Sequence, residues 1–179
     1  MQLTGLHFTV RVADVDETMD PTLPPAQEVC RVSRLKACTI AAEAPDALVV
    51  AADTIVLIDG QILGKPHSTR HAAEMLRLLS GRTHEVVTAL TVCQGQTIRS
   101  VTDITRVTFR PLTDAEIAAY IATGEPMDKA GSYGIQGYGS MFVSHLDGDY
   151  FSVMGLPLCP LCTLLRDFGV KILAQEDPA

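Results

Sequence analysis

Residues 53–66 read DTIVLIDGQILGKP. An apolar run opens on an acid, Asp53, turns at Asp59-Gly60, and closes on Lys65 between Gly64 and Pro66. Asp-Gly between two apolar runs is a strong hairpin signal, because both residues tolerate the positive φ of a tight turn. The stretch is therefore expected to fold as Ile55 to Ile58 returning through Ile62-Leu63. Its polar ends admit two readings. Either they are the solvated ends of an ordinary hairpin, or they bring a carboxylate and an ammonium to one rim of a pocket.

Working upstream, Leu48 to Ala52 is a continuous small-apolar run of the buried-strand kind, and Asp53 is expected at its exit. Ala26 to Ala44 has a helical pattern, with Val29, Val32 and Ile40 inward, Pro25 at its first turn and Pro21 and Pro24 in the loop before it. Leu6, Phe8, Val10 and Val12 alternate with polar residues as in a half-buried strand, which runs into Asp14-Val15-Asp16-Glu17.

Downstream, Ser68 can cap a helix carrying Ala72, Met75, Leu76 and Leu79 and ending at Gly81. Val86 to Cys93 and Ile98 to Phe109 are expected as antiparallel strands joined near Gln94-Gly95. Thr113-x-x-Glu116 is a capping box for a helix ending at Gly124. Met141 to Leu146 and Tyr150 to Met154 are expected as a second hairpin, and Leu158 to Phe168 as a last helix before Gly169. With no repeat and no linker, the pattern predicts an α/β fold: one mixed-sheet domain with flanking helices over residues 1–179.

The bulk numbers set limits. The 179 residues are 47% hydrophobic, enough for a core, and the net charge is −7. No Lys/Arg-dense stripe exists to displace counterions, which argues against a nucleic-acid polymer as partner. The longest apolar stretches fall short of a membrane span. Five scattered cysteines suit reduced thiols, so the expected setting is cytoplasmic.

Several residues could carry chemistry. A carboxylate at the end of a buried strand, such as Asp53, is where open α/β sheets place working groups, although a turn Asp capping its own backbone has the same look. Lys65 could present a cation to phosphate from a stiff turn, or be a solvated loop lysine. Lys36 stands on an otherwise weakly basic helix, where snorkelling would also explain it. Asp14, Asp16 and Glu17 offer hard oxygen ligands for Mg²⁺ or Mn²⁺, or form a solvated strand end. Residues 128–139 place four glycines within nine residues among Tyr, Ile and Gln, which favours a binding loop over a merely flexible one. Cys159-Pro-Leu-Cys162 lacks a second ligand pair for zinc and is read as two packed thiols. His84 is the one histidine inside a motif-like string.

Taken together, the strings Val15-Asp16-Glu17, Leu35-Lys36-Ala37, Ala52-Asp53-Thr54, Leu63-Gly64-Lys65-Pro66, Leu79-Ser80-Gly81-Arg82-Thr83-His84-Glu85-Val86, Asp128-Lys129-Ala130-Gly131, Gly134-Ile135-Gln136-Gly137 and Gly155-Leu156-Pro157 resemble the Maf family of nucleotide pyrophosphatases. The resemblance runs from about Leu3 to Gly169. It implies hydrolysis of a nucleoside triphosphate to the monophosphate and pyrophosphate, with a divalent cation (Mg²⁺ or Mn²⁺) as cofactor, in a fold like that of inosine triphosphate pyrophosphatase.

It also implies roles. Asp53 would accept the proton of the attacking water, Glu17 would help hold metal or water, and Lys36 and Lys65 would grip phosphates. Thr54 and Gln136 match positions tied to substrate choice, and Tyr133-Gly134-Ile135-Gln136-Gly137 resembles the subgroup acting on dTTP and UTP. A house-cleaning role in nucleotide pools and a homodimer are further implications. The alternatives are a non-catalytic nucleotide-binding regulator of cell division, or the same chemistry on 7-methyl-GTP or inosine triphosphate.

One departure stands out. The family begins with a buried strand and a Ser-x-x-Arg-Arg loop, whereas this sequence opens Met1-Gln-Leu-Thr-Gly-Leu. Either the start is placed too far downstream, which the intact later motifs favour, or this is a truncated copy with impaired or no activity. Weakened catalysis and a core missing one strand are expected for the chain as written.

Overall fold

The computed structural model describes residues 1–20 and 22–172. Pro21, named above as a loop proline, and the last seven residues of the one-domain reading lie outside the described residues. Five strands form one sheet: β1 (Val49–Ile58), β2 (Gln61–Leu63), β3 (Thr83–Gln94), β4 (Thr97–Phe109) and β5 (Val143–Asp147), in the order β2-β1-β3-β4-β5. Both edge ladders, β1–β2 and β4–β5, are antiparallel. The sheet is antiparallel, a simpler arrangement than the mixed sheet expected, and the helix-flanked α/β class stands. The helices are α1 (Pro25–Glu43), α2 (Thr69–Leu79), α3 (Asp114–Ala122), α4 (Tyr150–Val153) and α5 (Leu158–Asp167).

The chain forms two compact units. The first comprises Met1–Asp53, Ala89–Thr102 and the described residues from Leu156 onward; the second comprises Thr54–Thr88 and Asp103–Gly155.

In the first unit, α1 starts at Pro25, where the missing N–H costs nothing. Its buried stripe includes Val29, Val32, Ser33, Ala37 and Ala41, the recurrence of a helix face. The small side chains Ala37 and Ala41 pack against Val49 and Cys93. Leu90 and Val92 of β3 pack against Leu161 and Leu165 of α5. Glu28 is fully buried on α1 and is compensated by the Arg31 guanidinium (Nε to Oε1 2.9 Å) and the Asp20 amide (3.0 Å).

In the second unit, the expected hairpin forms with Ile58 opposite Gln61. Asp59 (φ 51°) and Gly60 (φ 77°) both take the positive φ of a type I′ turn. Ser68 caps α2 by accepting the His71 amide. Thr113 and Glu116 make the reciprocal capping box of α3. Leu76 and Leu79 of α2 are fully buried, and such burial is worth roughly 1.5–3 kcal/mol per side chain. They share a core with Phe109, whose ring meets Tyr133 and Phe142 edge-on at 4.8 and 5.9 Å between centroids.

Three local expectations need correction. Residues 6–12 form no strand, and Val10 and Val12 are 82% and 89% exposed. Alternation supplies a face but not a ladder partner, and a single strand without one is not stable. Tyr150 to Met154 does not return as a strand. Asp149 accepts the Phe151 amide and starts the helical turn α4, so Asp147-Gly148-Asp149 ends β5 and caps a helix. Finally, Asp53 does not mark a strand exit, because β1 runs unbroken from Val49 to Ile58 and places it mid-strand. Among the described residues no helix is long and apolar enough to cross a membrane.

Candidate active site

Three of the six candidates meet in the first unit. α1 is fixed beside β1 by the Ser33 hydroxyl, which lies 3.2 Å from the Ala51 carbonyl oxygen and 2.9 Å from the Thr91 hydroxyl. Three residues further along α1, Lys36 extends its ammonium to 2.7 Å from Asp53 Oδ1 and 2.9 Å from Glu17 Oε1. The snorkelling reading of Lys36 is thereby excluded, since the ammonium is turned to two carboxylates rather than to water. The Asp53 side chain is only 11% exposed, whereas that of Glu17 is 51% exposed. Burial alone would push the Lys36 pKa down; the hydrogen bonds to Asp53 and Glu17 outweigh it, and the pKa rises above the ordinary lysine value. The lysine therefore stays cationic across the physiological range.

Glu17 is the member of the acidic run that reaches this cluster. Asp16 instead accepts the Thr18 amide at 2.9 Å and closes a local turn. Lys36, Glu17, Val10, Val12 and Val49 to Ala52 line a cavity of about 870 Å³ in this unit. That volume falls within the range that holds a nucleotide-sized ligand. Among the described residues, no three His, Cys, Asp or Glu side chains are grouped to hold a metal ion by themselves. Glu17 and Asp53, which already share one cation, are a donor pair that suits Mg²⁺ or Mn²⁺, because such ions use one or two carboxylates and take remaining ligands from substrate phosphates and water.

The other three candidates stand in the second unit. Thr54 follows Asp53 on β1, and its hydroxyl lies 2.9 Å from that of Thr88, which donates to the Ser152 carbonyl at 2.8 Å. Lys65 is exposed on the turn after β2. Gln136 is exposed on the glycine-rich loop between buried Ile135 and half-buried Gly137. A backbone bond ties these two segments: the Gly131 amide donates to the Gly64 carbonyl at 3.1 Å. Gly131 sits at φ +68°, and a Cβ there would stand 2.9 Å from Val56 Cγ2, so only glycine fits this junction. The Lys129 ammonium, 2.7 Å from Asp128 Oδ1, holds that carboxyl below its usual range against its burial, and Lys65 adds to the same effect.

Sequence reading missed Ser33, Thr88, Tyr120 and Glu125, polar residues whose partners lie far away in the chain. The glycines at 134, 137 and 139 did signal a close approach, but not what approaches. The structure also revises the cysteines. All five are free, and Cys159 is exposed on α5 rather than packed.

A family model described as Maf-like protein matches residues 1–168. The chain is 50% identical over 170 residues to a dTTP/UTP pyrophosphatase of Moorella thermoacetica, covering 94% of this chain and 88% of that protein. It is 43% identical over 171 residues to a dTTP/UTP pyrophosphatase of Bacillus velezensis, covering 96% of this chain and 90% of that protein. A third protein of that description, from Bacillus pumilus, is 46% identical over 170 residues.

Proposed function

Since this chain belongs to the Maf family, we propose that it is a nucleoside triphosphate pyrophosphatase that hydrolyses dTTP and UTP to the monophosphate and pyrophosphate. The observation that carries the reading is the Lys36 ammonium held between the Asp53 and Glu17 carboxylates. Opening a polyphosphate needs an activated water, cations against the developing charge, and alignment. A chain of net charge −7 must supply those cations locally.

Asp53 accepts a proton from the attacking water. Its enclosed position on β1 and the Lys36 ammonium 2.7 Å away hold the carboxylate in place until substrate arrives. Phosphate oxygens then compete for the ammonium, which draws Lys36 toward the substrate and leaves Asp53 better able to take a proton. Lys65, exposed after β2, offers a second cation. Glu17 and Asp53 would hold a divalent cation together with the phosphates; when bound, it would neutralise charge on the leaving pyrophosphate.

Thr54 and Gln136 are assigned to recognition of the base. A Gln amide carries both a donor and an acceptor and so suits the N3–H and carbonyl edge of a uracil-type ring. Residues 1–179 are read as one functional domain, supported by a family match that spans most of them. The free thiols support a reducing, cytoplasmic setting.

The test is to incubate the protein with Mg²⁺ or Mn²⁺ and, separately, dTTP, UTP, 7-methyl-GTP and inosine triphosphate, and to measure pyrophosphate. Release from the two pyrimidine nucleotides is expected. Release only from the purines, or from none, would overturn the assignment.

A further inference from the structure

Two side chains gather the loop that carries Gln136. Tyr120, on the last turn of α3, is 4% exposed. Its hydroxyl accepts the Gly134 amide at 3.1 Å and donates to Glu125 Oε1 at 2.8 Å. The same Oε1 accepts the Gly139 amide at 3.1 Å, and Oε2 accepts the Tyr138 amide at 2.9 Å. Amides on both sides of Gln136 are thus gathered onto two side chains that belong to one short segment, 120–125. Gly124, at φ +77° between them, turns the chain so that both face the loop.

The glycines of the loop are shaped by this junction. A Cβ on Gly137 would collide with the Glu125 carboxylate, and one on Gly139 would lie 2.9 Å from the Tyr120 hydroxyl and 2.8 Å from the Gly134 carbonyl oxygen. Neither residue needs glycine for its φ; each needs it for space. Burial disfavours charge on Glu125, but the Gly139 and Tyr138 amides and the Tyr120 hydroxyl outweigh that and keep its carboxyl below the usual range. Burial pushes the Tyr120 phenol far above its ordinary value, so it remains a proton donor to Glu125.

We infer that Glu125 and Tyr120 are positioning residues that set base discrimination by fixing the backbone on either side of Gln136. This rests on the assignment of Gln136 to the base made above. An amide offers its donor and acceptor in either order, so a freely reorienting Gln would serve a cytosine edge as well as a uracil edge. Distinguishing the two rings requires the amide to be presented in one orientation. An exposed side chain cannot supply that restraint by its own packing, and a backbone pinned on both sides of it narrows the positions from which the amide is presented.

The test compares kcat/KM for UTP and CTP in the full chain and in three variants, with thermal melting of each. Gln136→Ala removes the reader. Tyr120→Phe keeps the ring in place and leaves the Gly134 amide unsatisfied. Glu125→Gln replaces an acceptor with a donor facing backbone amides. Both positioning variants are expected to lower the UTP:CTP ratio about tenfold or more, chiefly by raising KM for UTP. Combining Tyr120→Phe with Gln136→Ala is expected to lower the ratio no further than Gln136→Ala alone.

A merely structural role would lower both substrates in parallel and leave the ratio intact, which would overturn the inference. Tyr120→Phe, the milder change, decides the matter if Glu125→Gln does not fold. If Gln136→Ala itself leaves the ratio unchanged, the base assignment fails and the inference with it. If Gln136→Ala collapses the ratio while Tyr120→Phe does not, only the positioning role fails.

Discussion

Lys36 and Asp53 are 17 positions apart, on α1 and β1, and meet as an ammonium and a carboxylate 2.7 Å apart with both side chains mostly enclosed. Enclosure gives this pair more influence than a surface ion pair, whose contribution is screened. Removing the cation should damage phosphate binding and the restraint on Asp53 together. Lys36→Met is expected to lower kcat/KM for UTP by roughly 10²–10³-fold. Lys36→Arg should recover only part, since a planar guanidinium does not reproduce a point contact to two carboxylates. Steady-state kinetics of both variants checks this, and near-normal activity of Lys36→Met would contradict the role given to it.

The same pair was only half legible in the sequence. Local chemistry could be read: the type I′ turn at Asp59-Gly60, the cap at Ser68 and the capping box at Thr113 each depend on residues within a few positions. Asp53, Lys36 and Glu17 stand out by position and residue type, and the family resemblance gives them roles; what joins them is a tertiary contact that periodicity does not report. Residues 6–12 show the converse. Their alternation is clear, yet a strand also needs a neighbour with free backbone groups, and alternation says nothing about that. Tyr150 misled for a different reason: Asp149 can serve a turn or a helix cap, and only the direction of the following chain decides between them.

Acid sensitivity follows from His84. It is 2% exposed, its Nε2 lies 2.8 Å from the Tyr133 hydroxyl, and burial lowers its pKa from 6.5 to about 4. The unfolded chain therefore binds a proton that the folded chain refuses between those values, so stability falls as pH drops from 6.5 toward 4. The full effect is on the order of 3 kcal/mol. Proton NMR titration of His84 should give a midpoint near 4. His84→Gln, which does not titrate, should flatten the pH dependence of the melting temperature across that window. An ordinary midpoint near 6.5 would contradict the enclosed, neutral ring.

Gly131 joins the glycine-rich loop to the Lys65 turn through its amide bond to the Gly64 carbonyl. Gly131→Ala adds a Cβ at positive φ and against Val56. The expected cost is roughly 2–4 kcal/mol, from overpacking plus the left-handed backbone. Chemical denaturation measures it directly. A variant as stable as the parent would mean that the junction can open without penalty.

Divalent metal should enter with the nucleotide rather than before it. Two carboxylates that share a lysine would form at most a weak site until phosphate oxygens completed the ion's shell. EDTA is expected to stop pyrophosphate release without lowering the melting temperature of the nucleotide-free protein. Calorimetric titration of Mg²⁺ should show tight binding only in the presence of a non-hydrolysable UTP analogue. Tight binding of Mg²⁺ to the nucleotide-free chain would refute this order.

The central claim is that Asp53 activates water for the cleavage of a pyrimidine triphosphate, and isotope-traced hydrolysis of dTTP tests it most directly. The reaction is run in ¹⁸O-water with Mg²⁺, using the parent chain and Asp53→Asn, whose side chain keeps its shape but cannot accept the proton. The parent should release one pyrophosphate per dTMP with the label in dTMP. Asp53→Asn should bind dTTP yet release pyrophosphate at least ~10²-fold more slowly. Equal rates in the two proteins, or orthophosphate in place of pyrophosphate, would contradict the claim.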